Sequence, residues 1–155
     1  MRLGTKGRYG VMAMVDLARH ADSRPVCIAE IAERQNISSS YLEQLFAKLR
    51  RSGLVESARG PGGGYKLARA SEDILIADIF AAVGEVVEAN RYGQDATIAH
   101  GEVKARCLTH DLWDELGNQI YLFLNSISLK DVVERRVLGI SGRLHHRENS
   151  QLVAE

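Results

Sequence analysis

Residues Ser38 to Gly64 read SSSYLEQLFAKLRRSGLVESARGPGGG, and the architecture expected for the whole chain follows from this stretch. At about 100° per residue, its first half has two faces. The apolar face, expected to be core, consists of Tyr41, Leu42, Leu45, Phe46 and Leu49. The opposite face begins with short hydrogen-bonding side chains and ends with cations, which is typical of a helix that enters a DNA major groove. Its residues are Ser40, Glu43, Gln44, Ala47 and Arg51.

A hairpin is predicted directly after this helix. Gly53 is a natural left-handed stop, and residues 54–58 and 65–67 read as two short strands joined by RGPGGG. Because three consecutive glycines present no side chain, we expect Gly62 and Gly63 to approach another backbone closely. Arg59, at the mouth of the turn, is expected to enter a minor groove. The order of helix and hairpin predicts a winged helix-turn-helix.

The residues before this stretch complete the helix-turn-helix. Ile28, Ile31 and Ala32 predict a short helix with Glu30, Glu33 and Arg34 on its outward side, and residues 35–38 predict a tight turn. In that turn Asn36 suits a left-handed conformation and Ser38 suits a helix N-cap. Residues 6–20 predict a helix that is apolar on several faces, which we expect to pack both on its own domain and on a second subunit. The alternative is a core helix buried entirely within one chain.

Downstream, Asp73–Val83 predicts an amphipathic helix stopped by Gly84. Residues 85–106 show no clear period, and a long loop of this kind is usually functional, so we expect a sensor there. A long helix follows from Cys107, and we expect its apolar stripe to pack against its copy in a homodimer. The stripe consists of Leu112, Leu116, Ile120, Phe123, Leu124 and Ile127, with Trp113 on its flank. A last short helix is predicted to begin at Ser128 and Asp131.

These patterns predict a mainly α fold with a small β-hairpin wing, in which a winged helix-turn-helix domain is joined to a long dimerisation helix. The expected division is a DNA-binding domain at 1–84, a sensor loop at 85–106, dimerisation helices at 107–137 and a flexible tail at 138–155.

Charge is unevenly distributed along the 155 residues, although the formal net charge is zero. Residues 1–70 hold 12 Lys and Arg against 6 Asp and Glu, whereas residues 71–155 hold 8 against 14. This asymmetry indicates a basic module that faces DNA and an acidic module with another role. With no run of 18 apolar residues and no signal-peptide pattern, we expect a cytoplasmic protein without membrane contact. No P-loop, HExxH or Ser/His/Asp order suggests an enzyme.

The sequence resembles the IscR-type winged-helix regulators, which sense iron–sulfur status, nitric oxide or redox state. The resemblance covers about residues 1–137 and depends on TKGRY at 5–9, ISSSYLEQL at 37–45, RGPGGGY at 59–65, CLTH at 107–110, and Trp113. It implies a homodimer on a pseudo-palindromic DNA operator. Ser38, Ser40, Glu43 and Gln44 would then address bases or nearby phosphates, with Arg59 in the minor groove; the predicted DNA-contacting set is completed by Lys48, Arg51, Gly62 and Gly63. Glu43 also has a local alternative, a capping box with Ser40.

The same resemblance implies a [2Fe–2S] cluster held by three cysteines and a histidine, of which Cys107 and His110 match the last two. The preceding residues 91–106 contain no cysteine. A cluster held by one subunit would therefore need oxygen or nitrogen ligands, the candidates being Tyr92, Asp95, His100 and Glu102. Three interpretations remain open: a [2Fe–2S] cluster with non-standard ligation, a metal-free thiol sensor at Cys107, and a cluster-free regulator that retains the pair for structure.

We therefore expect a transcriptional regulator, a repressor or a dual regulator, of iron–sulfur biogenesis or iron homeostasis genes. Its operator binding would be modulated by a cluster or by the thiol state at Cys107 and His110. The alternatives are a cluster-free winged-helix regulator and a module that binds another protein. A steep salt dependence is expected for DNA binding and a flat one for protein binding.

Overall fold

The computed structural model describes residues 4–20, 24–85 and 109–137. The predicted cluster ligands Tyr92, Asp95, His100, Glu102 and Cys107 lie outside these ranges, as does the predicted tail at 138–155. His110 is the first residue of a helix, but its side chain is not described.

The described residues form a mainly helical fold with one small hairpin, as the sequence predicts. The helices are α1 (Thr5–His20), α2 (Ile28–Gln35), α3 (Ser39–Arg51), α4 (Ile76–Val83), α5 (His110–Asn125) and α6 (Leu129–Val133). The strands are β1 (Val55–Ala58) and β2 (Gly64–Leu67), and a 3₁₀ turn spans Ser71–Asp73.

The turn between α2 and α3 has the predicted local chemistry. Asn36 adopts φ 52° and ψ 48°, a left-handed conformation that asparagine tolerates, and so ends α2. Ser38 is the N-cap of α3, and its Oγ accepts a hydrogen bond from the Tyr41 N–H at 3.3 Å. The alternative capping box between Ser40 and Glu43 is wrong, because Ser40 already lies inside the first turn of the helix. Gly53 has φ 69° and ends the helix as predicted.

The hairpin is antiparallel and is attached to the helix-turn-helix. Its register runs from the pair Val55 and Leu67 to the pair Ala58 and Gly64. Val26, two residues before α2, donates its N–H to the Tyr65 carbonyl at 2.9 Å and accepts from the Tyr65 N–H at 2.8 Å. Because both bonds join β2 to the residues that lead into α2, the wing and the first helix of the motif are one structural unit.

Helix α4 begins at Ile76, three residues later than predicted. Leu75 is extended and pairs with Ser128 in an antiparallel bridge, and the Ile76 N–H donates to the Ile127 carbonyl at 2.9 Å. These partners lie about fifty residues away in the chain, so no local pattern indicates them. The predicted stop is confirmed, since Gly84 adopts φ 74°.

A single cluster of buried apolar side chains joins the described elements. It contains Met14 and Leu17 from α1, Phe46 and Leu49 from α3, and Ile79 from α4. It also contains Leu124 from the end of α5, Ile127 from the connection that follows, and Leu129 from the start of α6. The domain division stays a prediction, but the described end of the 107–137 segment packs into the same core as the winged helix.

Helix α1 carries a buried carboxylate that the sequence analysis did not single out. Asp16 is 2% exposed. It accepts from Arg34 Nη2 at 2.7 Å and Nε at 3.1 Å, and from Gln35 Nε2 at 2.7 Å. Burial alone raises the pKa of Asp16, but the hydrogen bonds from Arg34 and Gln35 outweigh burial and hold that pKa below its ordinary value. Arg34, expected to point outward, instead joins the end of α2 to α1.

Among the described residues, no helix is both long enough and apolar enough to cross a membrane.

Candidate nucleic-acid interface

The outward face of α3 presents the polar set expected from the sequence. Leu42, Leu45, Phe46 and Leu49 are buried against the domain, and their burial fixes which side of the helix faces solvent. Four predicted contact residues on that side are exposed: Ser40, Glu43, Gln44 and Arg51. An amide, a hydroxyl and a carboxylate near the start of the helix offer both donors and acceptors, and the guanidinium at its end offers donors for phosphate oxygens.

Ser38 lies at the start of this face and has a structural role as well. Its Oγ accepts from the Tyr41 N–H, while its side chain stays exposed. A hydroxyl that accepts one bond still has a hydrogen to donate. Ser38 therefore retains the capacity to donate to a phosphate while capping α3.

Lys48 does not lie on the exposed face that carries the other predicted contacts of α3. It lies on the flank of α3, and its Nζ donates to the carbonyl of Val83 at 3.1 Å. Val83 is the last residue of α4, where carbonyl groups lack helical partners and favour a cation. The ammonium thus stabilises the end of α4 and is directed toward it, which the sequence pattern did not indicate.

Arg50 is an exposed cation that the sequence analysis omitted. Its Nη1 donates to Ser57 Oγ at 3.4 Å, which places it in the gap between α3 and strand β1. The signal was present in the sequence as the pair Arg50 and Arg51 at the end of the helix. Only the position of the wing reveals that the two arginines have different surroundings.

The glycines at the tip of the wing have different surroundings. Arg59, Gly60, Pro61 and Gly62 are exposed, and Gly62 at φ 74° has open space where a Cβ would lie. Gly63 differs, because a Cβ there would overlap the hairpin's own backbone at Ala58 and Gly60. The glycine at 63 is therefore explained by the packing of the turn itself rather than by approach to DNA.

The charges around α2 are largely neutralised within the protein. Arg24 Nη2 contacts Glu30 Oε1 at 2.6 Å, and the Cys27 N–H donates to Glu30 Oε2 at 3.2 Å. The Arg24 guanidinium, and then the Cys27 amide, lower the pKa of Glu30 to about 2. With Arg34 bound to Asp16, the exposed cations left around the predicted interface are Arg50, Arg51 and Arg59.

Helix α5 exposes large apolar side chains in its described part. Leu112 is 61% exposed, and Trp113 and Phe123 are each 43% exposed. Leu112 and Phe123 lie on the predicted stripe and Trp113 lies on its flank, whereas Tyr121 and Leu122, which are also exposed, lie on other sides of the helix. The stripe continues into the buried Leu124, so it passes from the core of the domain onto an open surface.

No group of His, Cys, Asp and Glu able to hold a metal ion occurs among the described residues. Cys27, at the N-cap of α2, is a free thiol. The chain contains two cysteines, Cys27 and Cys107, so its donor set departs from the three cysteines and one histidine that the resemblance implies.

Known proteins with similar sequences and structures are regulators of transcription. The model of the Rrf2 family, described as iron-dependent transcriptional regulators, matches residues 3–135. The transcriptional regulator IscR of Photorhabdus laumondii is 50% identical over 144 residues, which cover 92% of this chain and 86% of that protein.

Two solved structures are similar in both fold and sequence. IscR of T. potens gives a TM-score of 0.71 at 36% identity, over 94% of this chain and 96% of that one. CymR, the global cysteine regulator of B. subtilis, also gives 0.71, at 30% identity over 87% and 98%. Both matches confirm the predicted winged-helix fold class.

Proposed function

This chain belongs to the Rrf2 family of transcriptional regulators, and from that premise we propose that it binds its operator as a homodimer under control of Cys107 and His110. Regulation of transcription, binding to DNA and the absence of an enzymatic role follow from the family. The individual contacts, the dimer, the sensing chemistry and the genes controlled are the proposal.

One observation carries the DNA-binding part of the proposal. The exposed face of α3 presents Ser40, Glu43, Gln44 and Arg51, and the exposed Arg59 lies at the tip of the adjacent wing. A helix of this kind enters the major groove, while an arginine on a wing reaches the neighbouring minor groove. Ser38 and Arg50 complete the proposed surface, and Lys48 and Gly63 are left out because both have partners within the protein.

The test is the salt dependence of binding to a DNA duplex that the wild-type protein has selected from random sequence. Fluorescence anisotropy would measure the affinity between about 50 and 200 mM salt. We expect the logarithm of the affinity to fall linearly and steeply with the logarithm of salt concentration, because each neutralised phosphate releases counterions. A flat profile would contradict the proposed surface.

We also propose that operator affinity responds to the chemical state of Cys107 and His110. The family description as iron-dependent and the similarity to IscR support an iron–sulfur cluster at this pair, and a gene set concerned with iron–sulfur biogenesis or iron homeostasis. A cluster would supply a centre that is gained, lost or oxidised, and so changes the arrangement of the residues that hold it. With one thiolate in this segment, further ligands would be oxygen or nitrogen atoms, from Tyr92, His100 or Glu102.

The donor set, in which Cys107 is the one cysteine of residues 85–137, favours a second candidate, a cluster-free regulator in which Cys107 acts as a thiol. A thiol just ahead of a helix N-terminus is favoured as thiolate, the reactive form. The two candidates differ in whether the purified protein contains iron and in how an oxidant changes its operator affinity.

Anaerobic purification followed by iron and sulfide analysis separates these candidates. Bound iron and sulfide that disappear in Cys107→Ser would support the cluster. An iron-free protein whose operator affinity changes on oxidation, with no such change in Cys107→Ser, would support the thiol sensor. Identical operator affinities for wild type and Cys107→Ser in the reduced, oxidised and reconstituted states would overturn both.

A further inference from the structure

Tyr65 of β2 is in contact with α3. Its ring centroid lies 4.7 Å from that of Phe46, with the two rings inclined by 50°. Phe46 is completely buried in the centre of α3. A tilted aromatic pair at this separation packs favourably and restricts the rotation of both rings.

The backbone of the same residue is paired with the segment that leads into α2. Two hydrogen bonds, at 2.9 and 2.8 Å, join Tyr65 to Val26, which is 1% exposed. The neighbouring Gly64 permits this approach, because a Cβ there would overlap the carbonyl group of Val26. One residue of the wing is therefore fixed both to α3 and to the segment that leads into α2.

The register of the hairpin extends this attachment to the tip. Tyr65 is directly opposite Ser57, and Gly64 is opposite Ala58, the residue before Arg59. Arg59 therefore follows directly from the last paired residue of the strand that lies opposite Tyr65.

We propose that Tyr65 is a positioning residue that holds Arg59 at a fixed distance from α3, so that major-groove and minor-groove contacts form together. The inference depends on the proposed role of Arg59 at DNA. A positioned side chain loses less conformational freedom on binding than a mobile one, so its contact contributes more affinity. Loosening the wing therefore reduces the contribution of Arg59 without removing the side chain.

The test is a double-mutant cycle on a DNA duplex selected by the wild-type protein, with Arg59→Ala made in the wild-type and Tyr65→Leu backgrounds. Leucine keeps an apolar side chain against Phe46 but lacks the ring. In the wild-type background, Arg59→Ala should weaken binding roughly tenfold or more. In the Tyr65→Leu background the same change should weaken it less than about threefold. Tyr65→Phe keeps the ring, so in that background Arg59→Ala should again weaken binding by the wild-type factor.

Ile79→Val is the matched control, because it trims a completely buried side chain in α4 that lies away from the wing. Arg59→Ala should keep its full effect there, whereas a lowered effect would mean that general destabilisation explains the result and would overturn the inference. Equal losses in the wild-type and Tyr65→Leu backgrounds would also overturn it while leaving the role of Arg59 intact. No loss for Arg59→Ala in the wild type would overturn the proposed minor-groove contact and this inference with it. Should Tyr65→Leu fail to fold by circular dichroism, Tyr65→Met replaces it in the cycle.

Discussion

At the scale of single residues, the exposed face of α3 combines side chains with different kinds of contact. Gln44 carries an amide that donates and accepts in fixed directions, and Arg51 carries a charge that any phosphate attracts. Both are exposed on the same side of the helix. Their contributions should therefore separate when binding is measured on several sequences and at several salt concentrations.

We predict that Arg51→Met weakens binding to all duplexes by a similar factor and lowers the slope of log affinity against log salt by about one. Gln44→Ala should cost about 1–3 kcal/mol on the selected duplex and much less on unrelated DNA, with an unchanged slope. Anisotropy titrations on both duplexes would measure these effects. The same pattern for the two variants would contradict the division of roles.

Asp16 supports a prediction about acid stability. Because its folded-state pKa is lowered, the ionised carboxylate contributes stability that is fully present above its ordinary pKa of 3.8 and is lost as the pH falls through the folded value. Asp16→Asn should lower the free energy of unfolding by about 2 kcal/mol at pH 7, because Arg34 loses its charged partner. The loss is limited because the Arg34 side chain is 34% exposed and so remains partly hydrated. The difference from wild type should shrink as the pH falls below about 4.

Urea unfolding followed by circular dichroism across this pH range would measure the difference. Glu33→Gln is the control, since Glu33 is an exposed glutamate on α2, the helix that carries Arg34, and should have a smaller effect at pH 7. A difference between Asp16→Asn and wild type that does not change with pH would contradict the assignment.

At the scale of helices and strands, the sequence predicts those boundaries that depend on local backbone preference or capping. Asn36, Gly53 and Gly84 each adopt the left-handed conformation expected of them, because their backbone preference is local. The start of α4 depends on the pairing of Leu75 with Ser128. Such partners are distant in the chain, so a window of ten or fifteen residues contains no trace of them.

The predicted DNA contacts show the same limit. The outward direction of Gln44 follows from helical periodicity, which is local, and it is confirmed as exposed. Lys48 carries the positive charge expected of a side chain that contacts phosphate. Its hydrogen-bond partner is instead the carbonyl of Val83, thirty-five residues away in the chain. The link between Arg34 and Asp16 is likewise invisible to periodicity, because it joins two helices whose contact depends on the folded core.

We predict that Lys48→Met lowers the free energy of unfolding by about 1 kcal/mol, because the carbonyl of Val83 loses a charged donor. The slope of operator affinity against salt should stay at the wild-type value, in contrast to Arg51→Met, which serves as the matched control. Thermal unfolding and the salt titration would measure the two effects. A lower salt slope for Lys48→Met would contradict this prediction and show that Lys48 contacts a DNA phosphate.

At the scale of the whole molecule, the apolar stripe of α5 continues from the core to solvent. Leu124 is buried, while Leu112, Trp113 and Phe123 are exposed. Contiguous apolar side chains on a surface usually mark an interface. A second copy of the chain is the occupant we propose, since a symmetric dimer would also place two recognition helices on two half-sites.

We predict that Leu112→Asp shifts the protein from dimer to monomer and weakens binding to a duplex that carries both half-sites, because a charge is then buried at the interface. Sedimentation velocity would report the mass, and anisotropy the affinity. Asn118→Asp introduces the same charge on the opposite side of α5 and should leave both unchanged. A dimer that persists in Leu112→Asp would contradict the role of this surface.

The distribution of charge has a consequence for orientation. The first 70 residues carry an excess of six positive charges and the remainder an excess of six negative ones. We expect this excess to favour approach of a polyanion to the face that carries Arg51 and Arg59. The zero net charge therefore conceals an uneven distribution of charge along the chain, which the sequence alone reveals.

The backbone pairing between residues 74–76 and 127–129 also bears on how the protein is made. Leu129 is completely buried, and it is supplied from far beyond the winged helix in the order of synthesis. A nascent chain that has emerged only as far as Gly84 still lacks part of its interior. The interior of the winged helix is therefore complete only after residues 127–129 have been synthesised, and a shorter nascent chain exposes the apolar surface that Leu129 covers.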